Sequence, residues 1–349
     1  MAIKQTPELE EYLREAAEKD ASDVHLIPGE PLTFRVRGML ERTERDPFTP
    51  DEIRDIAIAA FGEEPVGKIG SEVGEMRTSC GLPGVREARM CAARSQGQIS
   101  IVIRLFAPRI FTLEEIKAPE GLVRAATTPC GVPSGLLIFC GPTGSGKTTT
   151  AFSVIDHINA TRAEHICTVE EVSASPLTPK RSLIQRREIG TDVPDCVSGI
   201  RAAMRQDMDV LWVGDLTTLE EVDACLTAAA TGHLVLTQLH TTTPEAAIQK
   251  IIDIQPEDLK AACRRTLSDV LVAVSAQRLL RRADGKGRVA AYAVLILDDE
   301  MRAAIREGRD IFCRRNPLPE GCQTFAEHGK RLIEDGIVTQ DEAHFVLGI

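Results

Sequence analysis

Residues 135–149 read Gly-Leu-Leu-Ile-Phe-Cys-Gly-Pro-Thr-Gly-Ser-Gly-Lys-Thr-Thr, and the order of elements in the rest of the chain can be read outward from them. The first six residues are an unbroken apolar run, the pattern of a strand buried on both faces. Gly141-Pro142-Thr143-Gly144-Ser145-Gly146-Lys147-Thr148 then fits G-x-x-x-x-G-K-[ST], and a helix is expected from Lys147 to Ala160. Strand, glycine-rich turn and helix in this register make a cradle for phosphate. Without Cβ atoms the glycines let backbone wrap a polyanion closely. Backbone N–H groups and the first turn of the helix point at it. Lys147 is expected to reach the β- and γ-phosphates of ATP, and the Thr148 hydroxyl to ligate Mg²⁺. Pro142, Thr143, Gly144, Ser145, Gly146 and Thr149 complete the expected nucleotide-binding segment.

Downstream, strands are expected at His165–Glu170, Val210–Val213 and Leu234–Leu239, with helices at Val197–Arg205 and Leu219–Ala230. This alternation predicts an α/β fold with a mostly parallel sheet and crossover helices. Beyond Pro244 helices are expected to dominate. Upstream, Thr6-Pro7-Glu8 has the form of a helix N-cap with proline at the first position, followed by a Leu9, Leu13, Ala16/Ala17 stripe. Leu32, Phe34 and Val36 alternate with Thr33, Arg35 and Arg37 at strand period, Asp51–Phe61 returns to helix, and Ser100–Phe106 is an apolar strand. The predicted organisation is a small mixed α/β domain over 1–112, a Pro/Thr/Gly-rich linker over 113–134, and an ATPase domain over 135–349.

A chain of 349 residues suffices for two cores. Its 52 acids against 41 Lys and Arg give a net charge of −11, and there are only ten Phe, two Tyr and one Trp. No nucleic-acid partner is therefore expected, because neither bulk positive charge nor stacking platforms are present. No apolar stretch approaches the ~20 residues of a membrane span, and Met1–Asp20 is charged, so an intracellular protein is expected. Ten cysteines without a C-x-x-C pair read as reduced, mostly buried thiols.

Ala21-Ser22-Asp23-Val24-His25-Leu26, Thr231-Gly232-His233-Leu234-Val235, Leu239-His240-Thr241 and Met301-Arg302-Ala303-Ala304-Ile305-Arg306-Glu307 resemble the opening strands, histidine box and retraction motif of the PilT-like type IV pilus retraction ATPases. These belong to the secretion superfamily of P-loop ATPases. The resemblance implies a PAS-like N-terminal domain, a RecA-like C-terminal domain, and a homohexamer with ATP held where subunits meet. It also implies a cytoplasmic location, peripheral at the inner membrane. The pilus platform protein would be one partner and a second retraction ATPase another. Arg89 and Arg104 match arginines that reach nucleotide phosphates, and His240 matches a γ-phosphate sensor. His233 is expected beside the nucleotide too, and Asp310 onward on the ring or facing the platform.

Hydrolysis needs a carboxylate to hold water in line with the γ-phosphate. The resemblance supplies acids at two places, and this chain departs at both. The acidic box reads Thr168-Val169-Glu170-Glu171-Val172-Ser173-Ala174. Glu170 keeps the first acid, but the closing glutamate, the general base by resemblance, is Ala174. After the strand 209–213 comes Gly214-Asp215-Leu216-Thr217-Thr218 where the family carries Gly-Glu-[Met/Leu]-Arg-Asp. Asp215, a candidate for catalysis and for the Mg²⁺ shell, is one methylene short, and an Arg-Asp pair is lost. Between the histidines a family Gly-Thr is Thr237-Gln238. Two readings stay open: an ATP-driven retraction motor, and a ring subunit that binds nucleotide with little hydrolysis.

Overall fold

The computed structural model describes residues 6–36, 38–82, 86–106, 109–127, 134–171, 176–309 and 318–349. Described residues up to Arg109 make one compact unit; Ile110–Glu171 and Leu177–Ile349 make a second.

The first unit runs α1 (Pro7–Glu18), β1 (Ala21–Leu26), β2 (Thr33–Val36), β3 (Met39–Arg42), α2 (Pro50–Phe61), α3 (Glu63–Lys68), β4 (Glu75–Leu82), β5 (Arg86–Ser95) and β6 (Gln98–Leu105). Helix α1 begins as its sequence dictates: the Thr6 hydroxyl accepts from the Leu9 amide at 3.2 Å, and Leu9, Leu13 and Ala16 are buried. Thr49 and Glu52 form a capping box that starts α2. The strands make one antiparallel sheet, ordered β3-β2-β1-β6-β5-β4. Leu32 and Phe34 enter its core, as the alternation predicts.

The second unit runs α4 (Glu120–Thr127), β7 (Gly135–Cys140), α5 (Lys147–Thr161), β8 (His165–Glu170), β9 (Leu183–Glu188), α6 (Cys196–Met204), β10 (Val210–Asp215), α7 (Leu219–Ala230) and β11 (Leu234–Leu239). It continues with α8 (Pro244–Asp253), α9 (Lys260–Val270), β12 (Leu271–Arg281), β13 (Arg288–Ile296), α10 (Asp299–Glu307), α11 (Phe325–Glu334) and α12 (Gln340–Leu347). Its seven-stranded sheet is ordered β13-β12-β7-β11-β10-β8-β9, parallel except for the β12–β13 pair. The side-chain period of two divides each central strand between two cores. Leu136, Ile138 and Cys140 face one cluster with Leu211 and Val213, while Leu137 and Phe139 face the other with Val210 and Trp212. With both faces covered, unbroken apolar runs are what these strands require.

Among the described residues beyond Pro244 helices dominate as expected, α8 to α12, and two strands run between α9 and α10. β12 and β13, of eleven and nine residues, form a long hairpin that closes one side of the sheet. Their alanines weaken the strand signal in sequence, and burial rather than propensity sets their state. Helices α11 and α12 pack on this hairpin: the Arg278 guanidinium lies 5.1 Å from the Phe325 ring and donates to Val346 O at 2.8 Å. The eight described cysteines are free thiols, six of them buried; Cys130 and Cys313 lie outside the described residues.

Candidate functional site

The phosphate loop leaves the C-terminal end of β7, where open parallel sheets place their ligands. Three of its glycines have backbone angles that other residues resist: φ is 153° at Gly141, 77° at Gly144 and 90° at Gly146. A Cβ on Gly141 would lie 2.4 Å from Ser145 Oγ and 2.7 Å from Gln277 O, so the loop is folded as tightly as its backbone permits. Pro142, Thr143, Gly144, Thr148 and Thr149 are exposed, whereas Ser145 and Lys147 are buried. The Ser145 hydroxyl is buried without a hydrogen-bond partner. An open cradle of backbone amides, an unsatisfied hydroxyl and a buried ammonium fits a nucleotide phosphate.

Lys147 Nζ donates to Gly141 O at 3.0 Å and Pro142 O at 3.2 Å, and lies 3.5 Å from His240 Nδ1. On the far side of the imidazole, His240 Nε2 is 3.1 Å from Asp215 Oδ1. An ammonium has only donors, so His240 Nδ1 accepts and its Nε2–H donates to Asp215. Lys147, His240 and Asp215 are thus one chain, reaching from the loop to the end of β10. Burial pulls the Lys147 ammonium below its ordinary pKa, and the Asp215 carboxylate opposes this. Thr148 Oγ1 donates to Gln238 Oε1 at 3.0 Å. A Thr hydroxyl and a carboxylate are the kinds of oxygen donor that suit Mg²⁺.

Behind the loop, the Thr150 hydroxyl accepts from Gln277 Nε2 at 2.9 Å and is 3.1 Å from the Tyr292 hydroxyl. The late hairpin therefore backs the first turn of α5. Nothing local in sequence marks Gln277 or Tyr292 for this task.

Glu170 ends β8 and is buried, with Oε1 unpaired. Burial raises its carboxyl to about 7; Trp212 and Thr168 favour the charged form but offset only part of this. Glu171 is exposed just past the strand. The acidic-box departures Val172, Ser173 and Ala174 lie outside the described residues, as does Arg37.

His233 stands apart from His240. It precedes β11, and its carbonyl accepts from the Gly135 amide at the start of β7. Six strand residues separate it from the loop end of the sheet, about 20 Å at ~3.3 Å per residue. Its Nδ1 lies 2.9 Å from Ala228 O and 3.2 Å from the Thr231 hydroxyl, at the end of α7. Within this chain it caps a helix and does not meet the phosphate loop.

In the first unit Arg89 and Arg104 are cross-strand neighbours on β5 and β6. Arg104 Nε donates to the buried Asp23 at 2.9 Å, which fixes its direction while half its side chain remains exposed. The Thr217-Thr218 pair that replaces Arg-Asp has a local purpose. Glu221 accepts from both amides, and the Thr218 hydroxyl accepts from the Glu221 amide, a capping box for α7.

Comparison with known proteins agrees with this architecture. The family described as Type II/IV secretion system protein matches residues 4–345. The type IV pilus retraction ATPase PilT of Pseudomonas aeruginosa is 33% identical over 302 residues, 86% of each chain. A twitching motility protein of Neisseria gonorrhoeae is 32% identical over 313 residues, covering 89% of this chain and 82% of that one. The crystal structure of the pilus retraction motor PilT with bound ADP superposes with a TM-score of 0.81 at 32% identity, over 96% of this chain and 95% of the other. With its phosphate loop in place, the chain belongs to the type II/IV secretion family of ATPases and is a PilT-like member of it.

Proposed function

We propose that the chain is the ATP-driven subunit of a homohexameric type IV pilus retraction motor, acting on the cytoplasmic face of the inner membrane against the pilus platform protein. The observation that carries this reading is the chain from Lys147 through His240 to Asp215 beside the phosphate loop. Bound Mg²⁺ supplies charge neutralisation to the β- and γ-phosphates. Lys147 turns from the loop carbonyls to the terminal phosphates, and His240, held by Asp215, senses whether the last one is present. Thr148 and Asp215 hold the metal, and Arg89 and Arg104 of the PAS-like domain are assigned to transition-state charge as the ring closes.

A second reading, a nucleotide-binding ring subunit that partners an active retraction ATPase, is favoured by Ala174 and the shortened Asp215. Steady-state ATP turnover of the purified protein separates the two. We expect slow hydrolysis, below about one per second, where ordinary enzymes begin. Lys147→Ala is expected to abolish nucleotide binding or turnover, and unchanged affinity and rate in that variant would overturn the phosphate-loop assignment. Glutamate restored at 174 and 215 together should raise the rate; no gain would remove the acids as the cause of slow turnover. A strain lacking this chain should keep its pili yet lose twitching, and normal twitching counts against the motor.

A further inference from the structure

Asp215, the candidate acid for the Mg²⁺ shell, meets His240 through its Oδ1 at 3.1 Å. The Thr148 hydroxyl proton goes to Gln238 Oε1, at 3.0 Å. Gln238 is well placed for this. It is the Cα partner of Asp215 across β10 and β11, and its carbonyl accepts from the Leu216 amide. By strand parity it shares the sheet face of Leu234 and Leu236, whose side chains pack in the same core as α5 residues Ala151, Phe152 and Ile155. Its half-buried side chain bridges the end of β11 and the first turn of α5.

A hydroxyl has one proton and two lone pairs. Once the proton is committed to Gln238, the lone pairs of Thr148 Oγ1 are turned away from the amide, toward the solvent side of the loop. We propose that Gln238 is a positioning residue that orients the Thr148 hydroxyl as a ligand for a divalent cation. The inference rests on the nucleotide-binding reading above. Threonine, the residue the retraction family places here by resemblance, is too short to span the same gap, so the device is a property of this chain. Gln238 acts through Thr148 and does not touch substrate.

The test uses the full-length protein with ADP and Mn²⁺ as probes, reading Mn²⁺ half-saturation by electron paramagnetic resonance at saturating ADP. Separately, ADP affinity is measured in EDTA. Outer-shell partners of metal ligands are typically worth about 10- to 100-fold in metal affinity. Gln238→Leu should therefore raise Mn²⁺ half-saturation about tenfold or more while leaving ADP affinity in EDTA as in the wild type. Gln238→Glu, which can only accept, should stay within about threefold of wild type. In a Thr148→Val background, Gln238→Leu should add nothing. If the leucine variant does not fold, Gln238→Asn, one methylene short, gives the same reading. Wild-type Mn²⁺ affinity in the leucine or asparagine variant overturns the proposal, as does an equal loss of ADP affinity in EDTA. If the wild type itself binds no ADP in EDTA or with metal, the nucleotide reading falls and takes this one with it.

Discussion

Glu170 and Lys147 show at the level of single residues how burial prepares charged groups. Lys147 has its ammonium satisfied by two loop carbonyls and His240, and burial still lowers its pKa. Glu170 has Oε1 unpaired and is pushed up to about 7. Its unfolded reference is 4.5, so between these values the folded state holds a proton that the unfolded state has released. Stability therefore falls as pH rises through that window and the penalty is complete above about 7. Glu170→Gln removes the charged form, so it should flatten this part of the profile and stabilise the protein at pH 8 by about 1–3 kcal/mol. Chemical denaturation at pH 5 and pH 8 checks this; equal stability differences at the two values would show that the carboxyl does not ionise as described.

Among the elements, His328 reverses the sign. It lies on α11, accepts the Tyr292 amide of β13 at Nδ1 over 3.0 Å, and burial lowers its pKa from 6.5 to about 4. Below 6.5 the unfolded chain gains a proton that the folded chain refuses until about 4. The contribution is present in full above 6.5 and is lost as pH falls toward 4. His328→Gln should remove that acid sensitivity, read as a shallower loss of thermal midpoint between pH 6.5 and 4. An unchanged slope would place the sensitivity elsewhere. The retraction-motif helix α10 is tied in similar fashion: Arg302 donates to Ser268 O at 2.6 Å and Arg306 to Asp269 at 2.8 Å, at the carbonyl end of α9. The elements differ in how legible they are. β7 is plain in sequence because a strand covered on both faces needs an unbroken apolar run, and β11 opens with one before Thr237 and Gln238. β5 is not plain, because its inward residues are Ala88, Met90 and Ala92, types that favour helix in isolation. β9 reads Leu-Ile-Gln-Arg-Arg-Glu and pairs on one side only, with β8, so little apolar patterning marks it. At the site, the contiguous loop announces itself, whereas Gln238, Gln277 and Tyr292 arrive from distant strands and depend on topology that no local pattern encodes.

For the whole molecule, the assembly proposal makes the plainest claim. Six copies of a 38.0 kDa chain sum to about 228 kDa, and closed rings of one protomer are an ordinary outcome of a heterologous interface. Sedimentation of the purified protein with ADP and Mg²⁺ should find that species, and a monomer at every concentration tested would remove the ring from the reading. The sheet of the second unit also carries a consequence for how the protein is made. β7 lies between β11 and β12, and Gln277 and Tyr292 brace the first turn of α5 from strands well over a hundred residues later. A ribosome that has delivered the loop has not yet delivered its buttress. The grip on phosphate therefore matures only once the hairpin has emerged, late in translation, and a nascent chain stalled before residue 271 holds the complete motif without the pocket that makes it work.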